Sequence, residues 1–304
     1  MRRVLLAVPI IALAAAACGD GSSDYTPTAA AAPSTDIFVG VLQWGDGRLA
    51  ITDLANITDR DGYDNQPHFL SDGRALLFTS ARDTLQTDIY RYDIESGTVS
   101  QVTRTAGSEY SPTFMPGGSE FSVIREEASR QQLWKFGLDG SDRGGLLDAV
   151  QPVGYHAWGD ENTVAMFVLG DSIKPATLQI GRIDSSAARV VAESIGRSLH
   201  RMPGTHSISF VHKLSDDEWL IKAIDLDTDS ITMLTPTLPG REDYAWLPDG
   251  TILMGDGPTL YRWTPNAAWT PVAELSAFGV QTITRIAVSP DAGHIALVSD
   301  RPVQ

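Results

Sequence analysis

A polar and aromatic block recurs about every 44 residues from position 62 onward, and this spacing constrains the fold more than any other feature of the chain. The blocks are GYDNQPHF at 62–69, SEYSPTF at 108–114, GYHAW at 154–158, GRSLHR at 196–201, EDYAW at 242–246 and ITRIAV at 283–288. Each stands just before an apolar run or at its start. Aligned on the turn that follows, Gly73, Gly118, Asn162, Thr205, Gly250 and Ala292 lie 45, 44, 43, 45 and 42 residues apart.

The content of one repeat explains the spacing. Ser71-Asp72-Gly73 and Pro248-Asp249-Gly250 supply a tight turn between two strands. The runs Ala75 to Phe78, Val164 to Leu169 and Ile295 to Val298 are almost continuously apolar, as in a strand covered on both faces. A third strand follows, at 88–93 or 132–136, and Glu95-Ser96-Gly97 turns the chain into a fourth at 99–103. Short strands at a period of 40–45 are the pattern of a β-propeller blade. The two ends are complementary halves. Residues 36–58 supply a third and fourth strand, whereas 280–304 supply a first and second. The expected fold is all-β: a six-bladed β-propeller over 36–304, its last blade closed by the N-terminal strands. Closure removes edges that would otherwise invite aggregation.

The segment SDGRALLFTSARDTLQTDIYRYDIESGTVSQVT resembles the repeat of TolB-type, WD-like propellers. That repeat runs SPDG, an apolar strand ending in S-x-R, DIY-x-x-D, a Gly turn and LT. The resemblance is closest over 62–104, holds at 288–301 and fades in the middle blades. It implies the propeller fold. The chain departs from TolB proper in having no N-terminal α/β domain before the ring, and in its N-terminal signals. A Tol-Pal partnership is therefore not part of the expectation.

Those signals read as an address. Arg2 and Arg3 precede a 14-residue apolar stretch, Val4 to Ala17. As a helix this reaches ~21 Å, short of the ~30 Å of a hydrocarbon core, so 1–17 reads as a signal peptide. Ala15-Ala16-Ala17-Cys18 resembles a bacterial lipobox, which implies lipidation of Cys18. The Gly/Ser/Ala/Pro/Thr composition of the following residues, to 35, suits a flexible linker. The expected location is extracytoplasmic, lipid-anchored to the cell envelope on its periplasmic side, with the outer membrane favoured.

Composition narrows the partners. The net charge is −15 and no Lys/Arg cluster offsets it, which argues against nucleic acid. The single cysteine excludes a disulfide framework. There is no G-x-S-x-G, H-E-x-x-H, Walker or Rossmann motif, and no cofactor is expected.

In a propeller the first strand of each blade lines the central channel. The recurrent blocks should therefore converge on its mouth. The candidate ligand-binding residues are Asp64, Asn65, Gln66, Glu109, Tyr110, Tyr155, His156, Arg197, His200, Asp243, Tyr244 and Arg285, with Glu242 beside them. Turn capping and blade-to-blade bonding would also place polar groups there. Yet the blocks differ from blade to blade, which suits an asymmetric site. His68, His156 and His200 with Asp64 and Glu109 have ligand chemistry for a divalent metal but no short ligand spacing, so no metal site is expected. His206 and His212 are expected on one packed strand face with Ile208 and Phe210, and His294 facing solvent. Asp225 to Asp229 lacks the Gly and Glu of a calcium loop and reads as a turn.

Three functions fit. The first is a monomeric binding or scaffolding propeller, tethered to the envelope, holding a protein, peptide or glycan. The alternative is a hydrolase or lyase with His156 or His200 as base and Tyr155, Arg197 or Arg285 steadying an anion. The third is an assembly part that works through its lateral faces.

Overall fold

A computed structural model describes residues 34–45, 48–82 and 86–301. Among the described residues there are six four-stranded antiparallel sheets and one short 3-10 turn, Ser276–Phe278. The sheets are the blades of a six-bladed propeller. Blade 1 comprises β1 (Asp64–Phe69), β2 (Ala75–Ser80), β3 (Asp88–Asp93) and β4 (Val99–Gln101), hydrogen-bonded in that order from axis to rim. The inner strands of blades 2 to 5 are Ser108–Phe114, Val153–Trp158, Ile195–Arg201 and Tyr244–Trp246.

Blade 6 closes the ring as the complementary ends require. Its inner strands are Ile283–Val288 and His294–Asp300, and its outer strands are Thr35–Gly45 and Arg48–Asn56. Ile37 pairs with Val298 and Phe38 with Leu297. The joint is sealed by polar groups: Asp36 accepts from Arg301 at 3.0 and 3.1 Å and from Asn56 at 2.9 Å.

The continuous apolar second strands now have a physical account. Side chains alternate across a strand, and here each face meets a different neighbour. Leu76 and Phe78 pack with Ile37, Val39, Ala296 and Val298 of blade 6. Ala75 and Leu77 pack with Phe121, Val123 and Phe136 of blade 2. Each of the six joints between blades carries its own apolar cluster of this kind. The turns joining first to second strands need left-handed backbone, and glycine occupies it at Gly73 (φ 69°) and Gly250 (φ 85°).

Polar ties repeat at alternate joints. The indole of Trp158 donates to Ser122 Oγ at 2.8 Å, and that of Trp246 donates to Ser209 Oγ at 2.8 Å. The Tyr244 hydroxyl also donates to Ser209 Oγ, at 2.7 Å. Ser209→Ala should strand both donors and cost about 1–3 kcal/mol, read as a shift in urea midpoint with an unchanged slope.

Two sequence expectations change. His206 precedes its strand, Ser207–Lys213, and its half-exposed ring lies between Asp160 and Asp227 at 2.9 Å each rather than on a packed face. Hydrogen bonds to the Asp160 and Asp227 carboxylates raise its pKa. His212 does lie on the strand, where its ring meets Lys222 at 3.0 Å. His294 is partly covered, with Nδ1 buried, rather than facing solvent. Asp225 to Asp229 is a turn, closed on the Asp225 carboxylate by the amides of Asp227 and Thr228. Residues 1–33, with the expected signal peptide, Cys18 and most of the expected linker, lie outside the described residues.

Candidate functional site

Each inner strand starts on one face of the ring and ends at a turn on the other. The chain itself enters at Thr35, which bridges Tyr63 on the starting face. Along the axis lies a cavity of about 730 Å³. Its deep end is built from Gln66, Tyr155, Arg197, Asp243 and Arg285. Its outer end is built from Ser71, Gly117, Gly118 and Pro290, in the turns that end the inner strands. The cavity therefore opens on the face opposite the chain's entry. Between the two ends run His68, Phe69, Phe114, Met115, His156, Trp158, His200 and Tyr244.

Backbone irregularity aims the deep side chains. The pairing of the first two strands shifts register between Asn65 and His68, between Tyr110 and Thr113, and between Ile283 and Arg285. Bulges of this kind re-aim side chains. Gln66 (φ 58°) and Ser111 (φ 53°) take left-handed backbone at two of them. The Gln66 side-chain oxygen accepts from the Ser111 amide and the Thr79 hydroxyl, both at 2.8 Å.

The floor is an ion-paired cluster. Asp243 accepts from Arg197 Nε at 3.1 Å and from its Nη2, and faces Arg285 Nη1 at 3.5 Å. Arg285 Nη2 donates to the Tyr155 hydroxyl at 2.8 Å, with the guanidinium 4.9 Å from that ring. Burial alone would raise the Asp243 pKa, but Arg197 and Arg285 outweigh it and hold the carboxyl below its usual range. Tyr63 lies on the far side of the floor. Burial, then Tyr155, drives its phenol pKa upward, with Tyr110, Arg197 and Arg285 also near. Sequence reasoning passed over Tyr63 and weighed His68 only as a metal ligand, although both belong to the first recurrent block.

Burial favours the neutral form of all three histidines. Burial lowers His68 to about 4, His200 to about 4 and His156 to about 3, the last helped by His68. His156 Nε2 shares a 2.6 Å hydrogen bond with Ser122 Oγ, while its buried Nδ1 has no partner among the described residues. His68, His156 and His200 pair with Leu77, Met166 and Ser209, which occupy equivalent places in their blades.

Of the twelve candidates, eight line the cavity: Gln66, Tyr155, His156, Arg197, His200, Asp243, Tyr244 and Arg285. Four do not. Asp64 is fully buried, accepting from Ser80 at 2.5 Å and paired with Arg60 at 3.1 Å. Asn65 accepts from the Gln66 amide at 2.8 Å. Glu109 is fully buried against the hydroxyls of Thr103, at 2.9 Å, and Thr105. Burial lifts its pKa to about 7. Tyr110 packs against the apolar joint of blades 2 and 3. These residues begin the inner strands, so they fall behind the floor. Asp64 and Glu109 are also absent from the histidine-lined cavity, and no group of three or more His, Cys, Asp or Glu converges on a metal-sized point among the described residues.

Solved structures bear on the fold. A presumed TolB from Agrobacterium tumefaciens superposes with a TM-score of 0.69, at 14% identity, over 90% of this chain and 100% of that one. The fold is that of a TolB-like six-bladed β-propeller. An oligogalacturonate lyase from Vibrio parahaemolyticus superposes with a TM-score of 0.53, at 14% identity, over 86% of this chain and 97% of that one. At such identities the likeness is one of fold. In sequence, the TolB of Wolinella succinogenes is 33% identical over 86 residues, which is 28% of this chain and 20% of that protein. No family model matches. This TolB-like propeller carries an axial cavity of about 730 Å³.

Proposed function

We propose that this propeller is an extracytoplasmic binding module, attached to the cell envelope through Cys18, that holds a protein, peptide or glycan segment in its axial cavity. The observation that carries the reading is the cavity itself. Its volume sits within the ~300–1,000 Å³ of small-ligand sites, and polar groups converge at its deep end below an apolar wall. The lining also differs from blade to blade, as recognition of an asymmetric ligand requires.

Native mass spectrometry of the purified chain, after incubation with extract of its own cell envelope, tests this. A bound component is expected, and Thr113→Trp, which fills the cavity from its wall, should lose it. A component retained by that variant, or none at all, would overturn the reading and direct attention to the outer faces.

A lyase or hydrolase at the same cavity is the second reading. It is favoured by imidazoles held neutral beside the Tyr155–Arg285 pair, a base next to an anion-stabilising group. Turnover of the captured component during incubation would select it.

A further inference from the structure

The cavity has one way in. Its lining begins at Gln66, Ser111, Tyr155, Arg197, Asp243 and Arg285 and runs outward only. The floor crosses the axis: Arg285 of blade 6 donates to the Tyr155 hydroxyl of blade 3, on the opposite side of the ring, at 2.8 Å, and behind it Asp64 and Glu109 are fully buried. A chain cannot thread through a closed floor, so an extended ligand enters by its end.

Charge then decides which end. The lining carries Arg197, Arg201 and Arg285 against Asp243, and Glu242 beside it is shared between Arg197, at 3.6 Å, and Lys213, at 2.9 Å, which leaves the excess positive. The three histidines add no charge near neutral pH, since burial depresses all of them. This is a cationic pocket in a protein whose net charge is −15. Asp243 is already engaged by both floor arginines. Arg197 Nη1 and Arg285 Nε have no protein partner among the described residues and remain as donors. An incoming ammonium would meet guanidinium groups, whereas a carboxylate would be received in the planar geometry that arginine provides. Towards the opening the wall is apolar: Pro67, Phe69, Phe114, Met115, Trp158 and Pro290.

We infer that the cavity receives the C-terminal end of a peptide, its terminal carboxylate at Arg285 and Arg197 and its last side chains, apolar ones, against the outer wall. This rests on the cavity being the binding site, and it adds the class and direction of the ligand.

The test uses two pools of hexapeptides with randomised apolar residues, one ending in a free carboxylate and the other in an amide. Binding to the full chain is followed by fluorescence anisotropy. The acid pool should bind at least tenfold more tightly than the amide pool. Arg285→Gln should erase the difference, and Thr113→Trp should abolish binding of both. Arg285→Lys keeps the charge opposite Asp243 and should keep part of the preference, which separates loss of the donor from loss of the fold. Equal binding of acid and amide pools would overturn the carboxylate inference while leaving the cavity as a binding site. Failure of both pools, with an envelope component still captured and still lost in Thr113→Trp, would overturn the peptide class alone. Failure of both together with no cavity-dependent capture would overturn both readings.

Discussion

Between pH 6 and pH 5 the propeller should lose about 2–3 kcal/mol of stability, and unfolding at pH 5.5 should take up roughly two protons. The source is the three cavity histidines. In the unfolded chain their pKa is near 6.5, and in the fold burial lowers them to about 4, 3 and 4 for His68, His156 and His200. A depressed histidine contributes stability that is fully present above the unfolded value and is lost as pH falls toward the folded one. Each ring therefore favours the unfolded state by about 1.4 kcal/mol per pH unit through this window. Glu109 opposes them. Its folded pKa is raised to about 7, so its burial is best tolerated below the unfolded value and costs more as pH rises towards 7. Three protons gained less one released leaves the two. Urea unfolding at pH 7.5, 6.5, 5.5 and 5.0 measures the slope. A stability that is flat across this range would show that the rings are protonated in place. Glu109→Gln should steepen the acid loss by about one proton, because it removes the opposing group.

Asp243→Ala should cost about 3–5 kcal/mol. Asp243 sits between Arg197 and Arg285 with its side chain 15% exposed. Its removal leaves two guanidinium groups facing each other with partial compensation. Arg197 keeps Glu242 at 3.6 Å, and Arg285 keeps the Tyr155 hydroxyl. Asp243→Asn keeps the shape and one acceptor and should cost less. Because the loss comes from uncompensated charge, Asp243→Ala with Arg285→Gln should recover at least 1 kcal/mol over Asp243→Ala alone. Urea midpoints of the four proteins close the cycle. A double variant less stable than Asp243→Ala would assign the cost to packing instead.

Much of the architecture was legible before any coordinates. The turn spacing near 44 residues, the doubly covered second strands and the complementary half-blades at 36–58 and 280–304 each reflect a local rule or a count. A tight turn needs Gly73, and a strand between two neighbours needs apolar residues on both faces. These requirements act within a repeat, so they are written in its residues. Recurrence likewise marked the inner strands, and eight of twelve candidates line the cavity.

What the sequence could not separate was depth along the axis. Asp64 and Asp243 stand in the same kind of block, yet Asp64 is locked to Ser80 and Arg60, whereas Asp243 is in the floor. The difference comes from bulges that shift register by a residue, and from partners as distant as Arg285 and Tyr155, 130 positions apart. The direction of opening is also tertiary. It depends on Tyr155 and Arg285 meeting across the axis, which no single repeat contains. The blade, the number of blades and the way the ring closes are written in the chain's local order, because they follow from short-range patterning and its period. The tertiary structure alone decided which polar groups are joints and which form the floor, because that depends on six different strands converging on one axis.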